Sequence, residues 1–101
     1  MSDVVNFSNH TVIYISNKQV SCDIDGESII LNLEDGLYYG LDPIGARIWG
    51  LIEEPKTVQQ IQETLLEEFE VEPQVCMHDL QVLLRDLANR GLIEVRDELV
   101  G

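Results

Sequence analysis

Apolar and polar positions alternate with a period of two in the N-terminal part of the chain and with a helical period after it. Residues 11–16 (TVIYIS), 20–24 (VSCDI), 28–33 (SIILNL) and 37–41 (LYYGL) are short, rich in β-branched and aromatic side chains, and read as strands. Asp25-Gly26 and Glu34-Asp35-Gly36 separate them as turns, and Gly36 can take a positive φ. Short turns between consecutive strands predict an antiparallel meander. Adjacent residues on a strand face opposite ways, so Tyr38 and Tyr39 cannot serve the same core. Alternation groups Leu37, Tyr39 and Leu41 toward the helices and Trp49, leaving Tyr38 and Gly40 on the other face.

The period changes at Asp42-Pro43, where an N-cap carboxylate and a first-turn proline open a helix. Ile44, Ile48, Leu51 and Ile52 share one face of it, with Trp49 beside them. Gly45 and Gly50 weaken this helix by propensity, so close packing is the expected reason for Gly45. Glu54-Pro55 ends it. Thr57 caps a second helix with an apolar stripe at Val58, Ile61, Leu65 and Phe69, and Glu72-Pro73 breaks that one. A third helix runs from about Pro73 to Arg90 and stops at Gly91, after which residues 92–95 suit a final strand or wing. Strands followed by three helices, the last two at helix–turn–helix spacing, predict an α+β winged helix–turn–helix domain: an antiparallel three-stranded sheet followed by three helices.

The third helix has two faces. At about 100° per residue, Cys76, Met77, Leu80, Leu83, Leu84, Leu87 and Ala88 form a broad core-facing arc. Val75, Asp79, Val82 and Asp86 form a second stripe, with Leu83 at its boundary and Arg90 beyond. Valines flanked by aspartates either pack beneath the N-terminal strand or wall a groove for a ligand side chain, with carboxylates for a Lys or Arg. The opposite wall would be residues 37–41: an edge strand there offers free N–H and C=O groups to an incoming extended peptide.

Composition narrows the partners. Nineteen acidic and six basic residues give a formal charge of −13, and no basic stripe is present to displace counterions from a phosphate backbone. Nucleic acid is therefore excluded as the expected partner, although winged helices often read DNA; a basic peptide or protein surface would be steered toward this domain. No apolar run approaches the roughly 18 residues needed to span a bilayer, and the start MSDVVNFSNH has neither basic leader nor apolar core, so no membrane role is expected. Cys22 and Cys76 lie far apart, outside any CxxC or Cys/His cluster, which favours reduced thiols in a cytoplasmic protein over a structural disulfide and argues against a small zinc domain. Cys76 and His78 point to opposite sides of their helix and cannot share a proton, and no catalytic residues are assigned. No cofactor is expected.

The run Leu31-Asn-Leu33, Gly36-Leu37-Tyr38-Tyr39-Gly40-Leu41-Asp42 and Gly45-Ala46-Arg47-Ile48-Trp49 resembles the PqqD-like peptide-recognition domains, called RiPP recognition elements. The resemblance continues through Thr57-Val58 to Leu87-Ala-Asn-Arg-Gly-Leu92 and covers roughly residues 20–95 of the 101. It implies a single domain over 1–101, with 1–19 as an extension that can add a strand. It also implies a non-catalytic protein that binds the leader of a ribosomally made precursor peptide as an added strand. Carried onto this chain, the peptide-binding residues are Leu37, Tyr38, Tyr39, Gly40 and Leu41 on the strand, and Val75, Asp79, Val82, Leu83 and Asp86 on the helix. The implied partners are the precursor leader peptide and a leader peptidase or other modifying enzyme, as in lasso-peptide biosynthesis. The alternatives are a chaperone for a radical peptide-modifying enzyme and a winged-helix transcription regulator.

Overall fold

The computed structural model describes residues 7–25 and 27–97. Six strands and three helices follow in the order β1 (Thr11–Ile15), β2 (Gln19–Ile24), β3 (Glu27–Asn32), β4 (Tyr38–Leu41), α1 (Pro43–Leu51), β5 (Lys56–Thr57), α2 (Val58–Glu68), α3 (Pro73–Asn89) and β6 (Ile93–Asp97). The strands form two antiparallel sheets of three strands, ordered β2-β3-β4 and β5-β1-β6.

The three-stranded meander is present, but β1 does not belong to it. Thr11, Val12 and Ile13 are all buried, so β1 is covered on both faces. Such a strand needs partners along both edges to satisfy its backbone. It finds them in β5 (Val12 opposite Thr57) and β6 (Ile13 opposite Val95). The Ser16 N–H extends the contact to the Leu92 carbonyl at 3.0 Å. The tail after Gly91 is thus a strand.

The helix boundaries follow local chemistry. Asp42 Oδ1 accepts from the Gly45 N–H, and Pro43 occupies the first turn of α1. Thr57 and Gln60 form a reciprocal capping box at the start of α2. At the end of α3, Gly91 takes φ +74°. Its N–H bonds the Ala88 carbonyl while the Leu92 N–H bonds that of Leu87, a Schellman closure whose apolar contact is the buried pair Leu87 and Leu92.

Ile13, Ile30, Ile48, Trp49, Ile52, Val58, Ile61, Leu80, Leu84 and Leu92 are among the buried residues that join both sheets and all three helices into one core. The α3 arc divides as expected: Cys76, Leu80, Leu84 and Leu87 are buried, with Met77, Leu83 and Ala88 partly so. Two expectations fail locally. Ile44, placed on the core face of α1, is 47% exposed, one turn short of the buried Ile48. Leu37, placed with Tyr39 and Leu41, is 59% exposed. Its N–H bonds Asp35 Oδ1 at 2.9 Å, which holds it in the turn before β4 begins.

Candidate functional site

β4 is the edge of its sheet, and among the described residues no strand pairs with its outer side. Which backbone groups lie free follows from one hydrogen bond. The Asn32 N–H donates to the Leu37 carbonyl at 2.9 Å, which marks Leu37 as facing β3. Alternation then turns the backbone groups of Tyr39 and Leu41 toward β3, and those of Tyr38 and Gly40 toward the open edge. Gly40 leaves that edge bare: a Cβ built there meets nothing within 4 Å.

Side chains follow the complementary alternation. Tyr39 and Leu41 face the helices, and Tyr38, 70% exposed, faces away. The Tyr39 hydroxyl donates to Asp86 Oδ2 of α3 at 2.8 Å. Arg90 bonds the other Asp86 oxygen at 3.1 Å and lies over the Tyr39 ring, 4.8 Å from its centroid. Partial burial, followed by the hydrogen bond and charge of Asp86, pushes the Tyr39 pKa up to about 12. Asp86 is therefore a tether between sheet and helix, and both its oxygens are engaged.

Two cavities open between β4 and the helices. One of about 200 Å³ is lined by Tyr39, Gly40, Leu41, Asp42, Gly45 and Leu83. A second of about 210 Å³ shares Asp42, Gly45 and Leu83 with it and continues along Ile44, Ile48, Phe69, Val71, Asp79 and Leu80. Together they make a groove that starts at the β4 edge and deepens between α1, α2 and α3. Of the expected helix residues, Leu83 and Asp79 line it. Val75 and Val82 stand 47% and 49% exposed on α3, uncovered by β1 and outside both cavities. Leu37 and Tyr38 lie outside them too.

Ile44, Phe69 and Val71 were missed as groove residues. Their apolar character assigned them to the core or to no role, and only the way α1 and α2 approach α3 leaves them lining a space. Gly45 is explained by its contacts: a Cβ there would lie 3.1 Å from Asp42 Oδ1 and 3.3 Å from Leu41 Cδ2. Cys76 and His78 stay apart, one buried and one exposed. Burial, then the charge of Asp79, raises the Cys76 pKa, which is the wrong direction for a nucleophilic thiolate.

A small α+β domain thus sets an open strand edge beside a groove walled by apolar and acidic side chains, an arrangement with room for an extended chain. Residues 27–93 match the family model described as coenzyme PQQ synthesis protein D (PqqD), and the chain belongs to that family. It is similar to the solved structure of TbiB1 in complex with the TbiA(beta) leader peptide, at 42% identity over 80% of this chain and 94% of that one, with a TM-score of 0.75. A lasso peptide synthetase B1 complexed with its leader peptide shares the fold at 20% identity, over 81% and 96% of the two chains, with a TM-score of 0.74. So does the PqqD truncation of Methylobacterium extorquens PqqCD, a RiPP recognition element solved by NMR, at 20% identity over 88% and 95%, with a TM-score of 0.72. No curated protein sequence matches the chain.

Proposed function

We propose that this protein binds the leader region of a ribosomally synthesised precursor peptide and presents it to a leader peptidase or other modifying enzyme of the lasso type, without catalysing a reaction itself. The observation that carries the reading is the unpaired β4 edge opening onto the α3 groove, in a chain 42% identical to a protein solved with a leader peptide. The leader adds as a strand along Tyr38 and Gly40, whose free N–H and C=O groups supply sequence-independent hydrogen bonds. Apolar leader side chains enter the groove at Leu41, Ile44 and Leu83, which offsets the ordering entropy of a disordered peptide. Val75 and Val82 extend the contact along α3.

Charge selects the ligand. Asp79 is exposed and free to hold a Lys or Arg of the leader, while Asp86 acts through Tyr39 as a positioning residue. Across the domain, −13 of formal charge steers basic segments in and phosphate backbones away. α2 and α3 would serve as the helix–turn–helix, and β6 with β1 as the wing, of a single domain over 1–101, in which the expected extension over 1–19 supplies β1 to the core. Among the described residues no helix is long and apolar enough to cross a membrane. A cytoplasmic location fits the two free cysteines.

Calorimetric titration of the folded protein with the leader of its cognate precursor peptide tests the reading. Saturable binding at or below tens of micromolar is expected, and none at that concentration would end it.

A further inference from the structure

The sheet that carries the β4 edge has a second face, and its chemistry is inverted. In β2 the residues turned toward the helices are polar (Gln19, Ser21, Asp23), while those turned to solvent are Val20, Cys22 and Ile24. Register extends the pattern across the sheet: Val20, Leu31 and Tyr38 form one outward row, and Cys22, Ile29 and Gly40 the next. Val20 is 52% and Ile24 49% exposed. An antiparallel sheet with one solvated face normally points polar residues at water. A slip of one residue would bury the β2 apolar set; instead the Asp25 turn, at φ +53°, holds the register that exposes it.

This face is not the groove. Tyr39 and Leu41 meet α1 and α3 from the inner side, and the outward rows lie on the opposite side of the same strands. The charges at its ends are carboxylates: Asp25 and Glu27 at the β2–β3 turn, Glu34 and Asp35 at the β3–β4 turn. The basic residue near them, Lys18, is paired with Glu34 at 3.5 Å.

We propose that the outer face of the β2-β3-β4 sheet is a docking surface for a protein partner presenting an apolar stripe flanked by lysine or arginine. Charge complementarity decides the occupant. A second copy of this chain would set −13 against −13 and carboxylate rim against carboxylate rim, whereas a basic-flanked apolar surface satisfies both features of the face at once. The inference is independent of what occupies the groove.

The test uses a synthetic amphipathic helical peptide with a leucine stripe flanked by lysines. A helix cannot add to a strand edge. Its partner control replaces every lysine with glutamate. Two-dimensional NMR of the labelled protein should show the lysine peptide shifting the amides of Val20, Cys22, Ile24, Ile29 and Leu31. Calorimetry should show the glutamate peptide binding at least tenfold more weakly. The double variant Val20→Ser with Ile24→Ser, neutral in charge and checked for folding by circular dichroism, should lose at least tenfold in affinity. Shifts confined to α3, equal binding of the glutamate peptide, or full affinity in the double variant would each overturn the proposal. So would a dimer seen in sedimentation equilibrium that the double variant dissolves, since that makes a second copy the occupant.

Discussion

Tyr39 of β4 and Asp86 of α3, 47 positions apart, are joined by a 2.8 Å hydrogen bond that sets how far the open strand edge stands from the helix wall. Replacing Tyr39 with Phe keeps the ring beneath Arg90 and removes only the hydroxyl. Urea denaturation should show a loss of about 1 kcal/mol, the net worth of one partly buried hydrogen bond. Leader affinity should fall as well, because the groove loses its fixed width. An unchanged affinity with reduced stability would make the bond purely structural.

The same bond gives a pH signature. The Tyr39 pKa, pushed up to about 12 from the ordinary 10.0, means the folded state holds this proton more tightly than the unfolded one. The resulting stabilisation is complete below pH 10 and is lost as pH rises through about 12. Ultraviolet titration should show one of the three tyrosines ionising late, and the late step should vanish in Tyr39→Phe.

The edge itself is tested at Gly40. Proline there removes one outward N–H and is compatible with an edge strand. Gly40→Pro should keep a cooperative melt and lose most leader affinity; full binding would place the leader elsewhere.

Val82→Asp adds charge to an exposed position on α3 and should leave thermal stability nearly unchanged. Leader binding should weaken by about tenfold, roughly 1.4 kcal/mol. Equal affinity would remove this part of α3 from the contact.

Two glycines in α1 should respond with opposite signs. Gly50 has open space where a Cβ would sit, so Gly50→Ala should stabilise by about 0.5–1 kcal/mol through helix propensity. Gly45→Ala forces its methyl against the Asp42 cap and Leu41, which should cancel that gain and disturb the groove mouth. Thermal melts of both variants check the contrast.

These features were legible in the sequence to different degrees, and the division follows range. Asp42-Pro43, Thr57 and Gly91 act within a turn of their own positions, and each set its helix boundary as expected; that Gln60 closes a reciprocal box with Thr57 emerged only from the structure. Strand alternation likewise placed Tyr39 inward and Tyr38 outward. What escaped were pairings made across the fold. β1 carries no mark of its partners, and β5 is only Lys56 and Thr57, too short for any period to register. Leu37 has the character of a core residue, but a turn holds it out. Asp86 looked like a free selector of basic residues until folding brought Tyr39 and Arg90 to it. The groove residues Ile44, Phe69 and Val71 became visible only as the walls of a space, which no single segment contains.

Asn32 and Tyr39 reach across from the edge-bearing sheet and fasten to one short stretch of α3: Asn32 Nδ2 to the Arg90 carbonyl at 2.8 Å, and Tyr39 to Asp86. Since β1, β5 and β6 form a separate sheet, the β2-β3-β4 sheet is a jaw clamped at the last turn of α3. If a leader adds to β4 as proposed, the gape of that jaw would decide how bulky a guest side chain can be before the added strand loses its hydrogen bonds. Changes at Asn32, Asp86 or Arg90 should therefore retune the range of sequences admitted while the opposite sheet stays as it is.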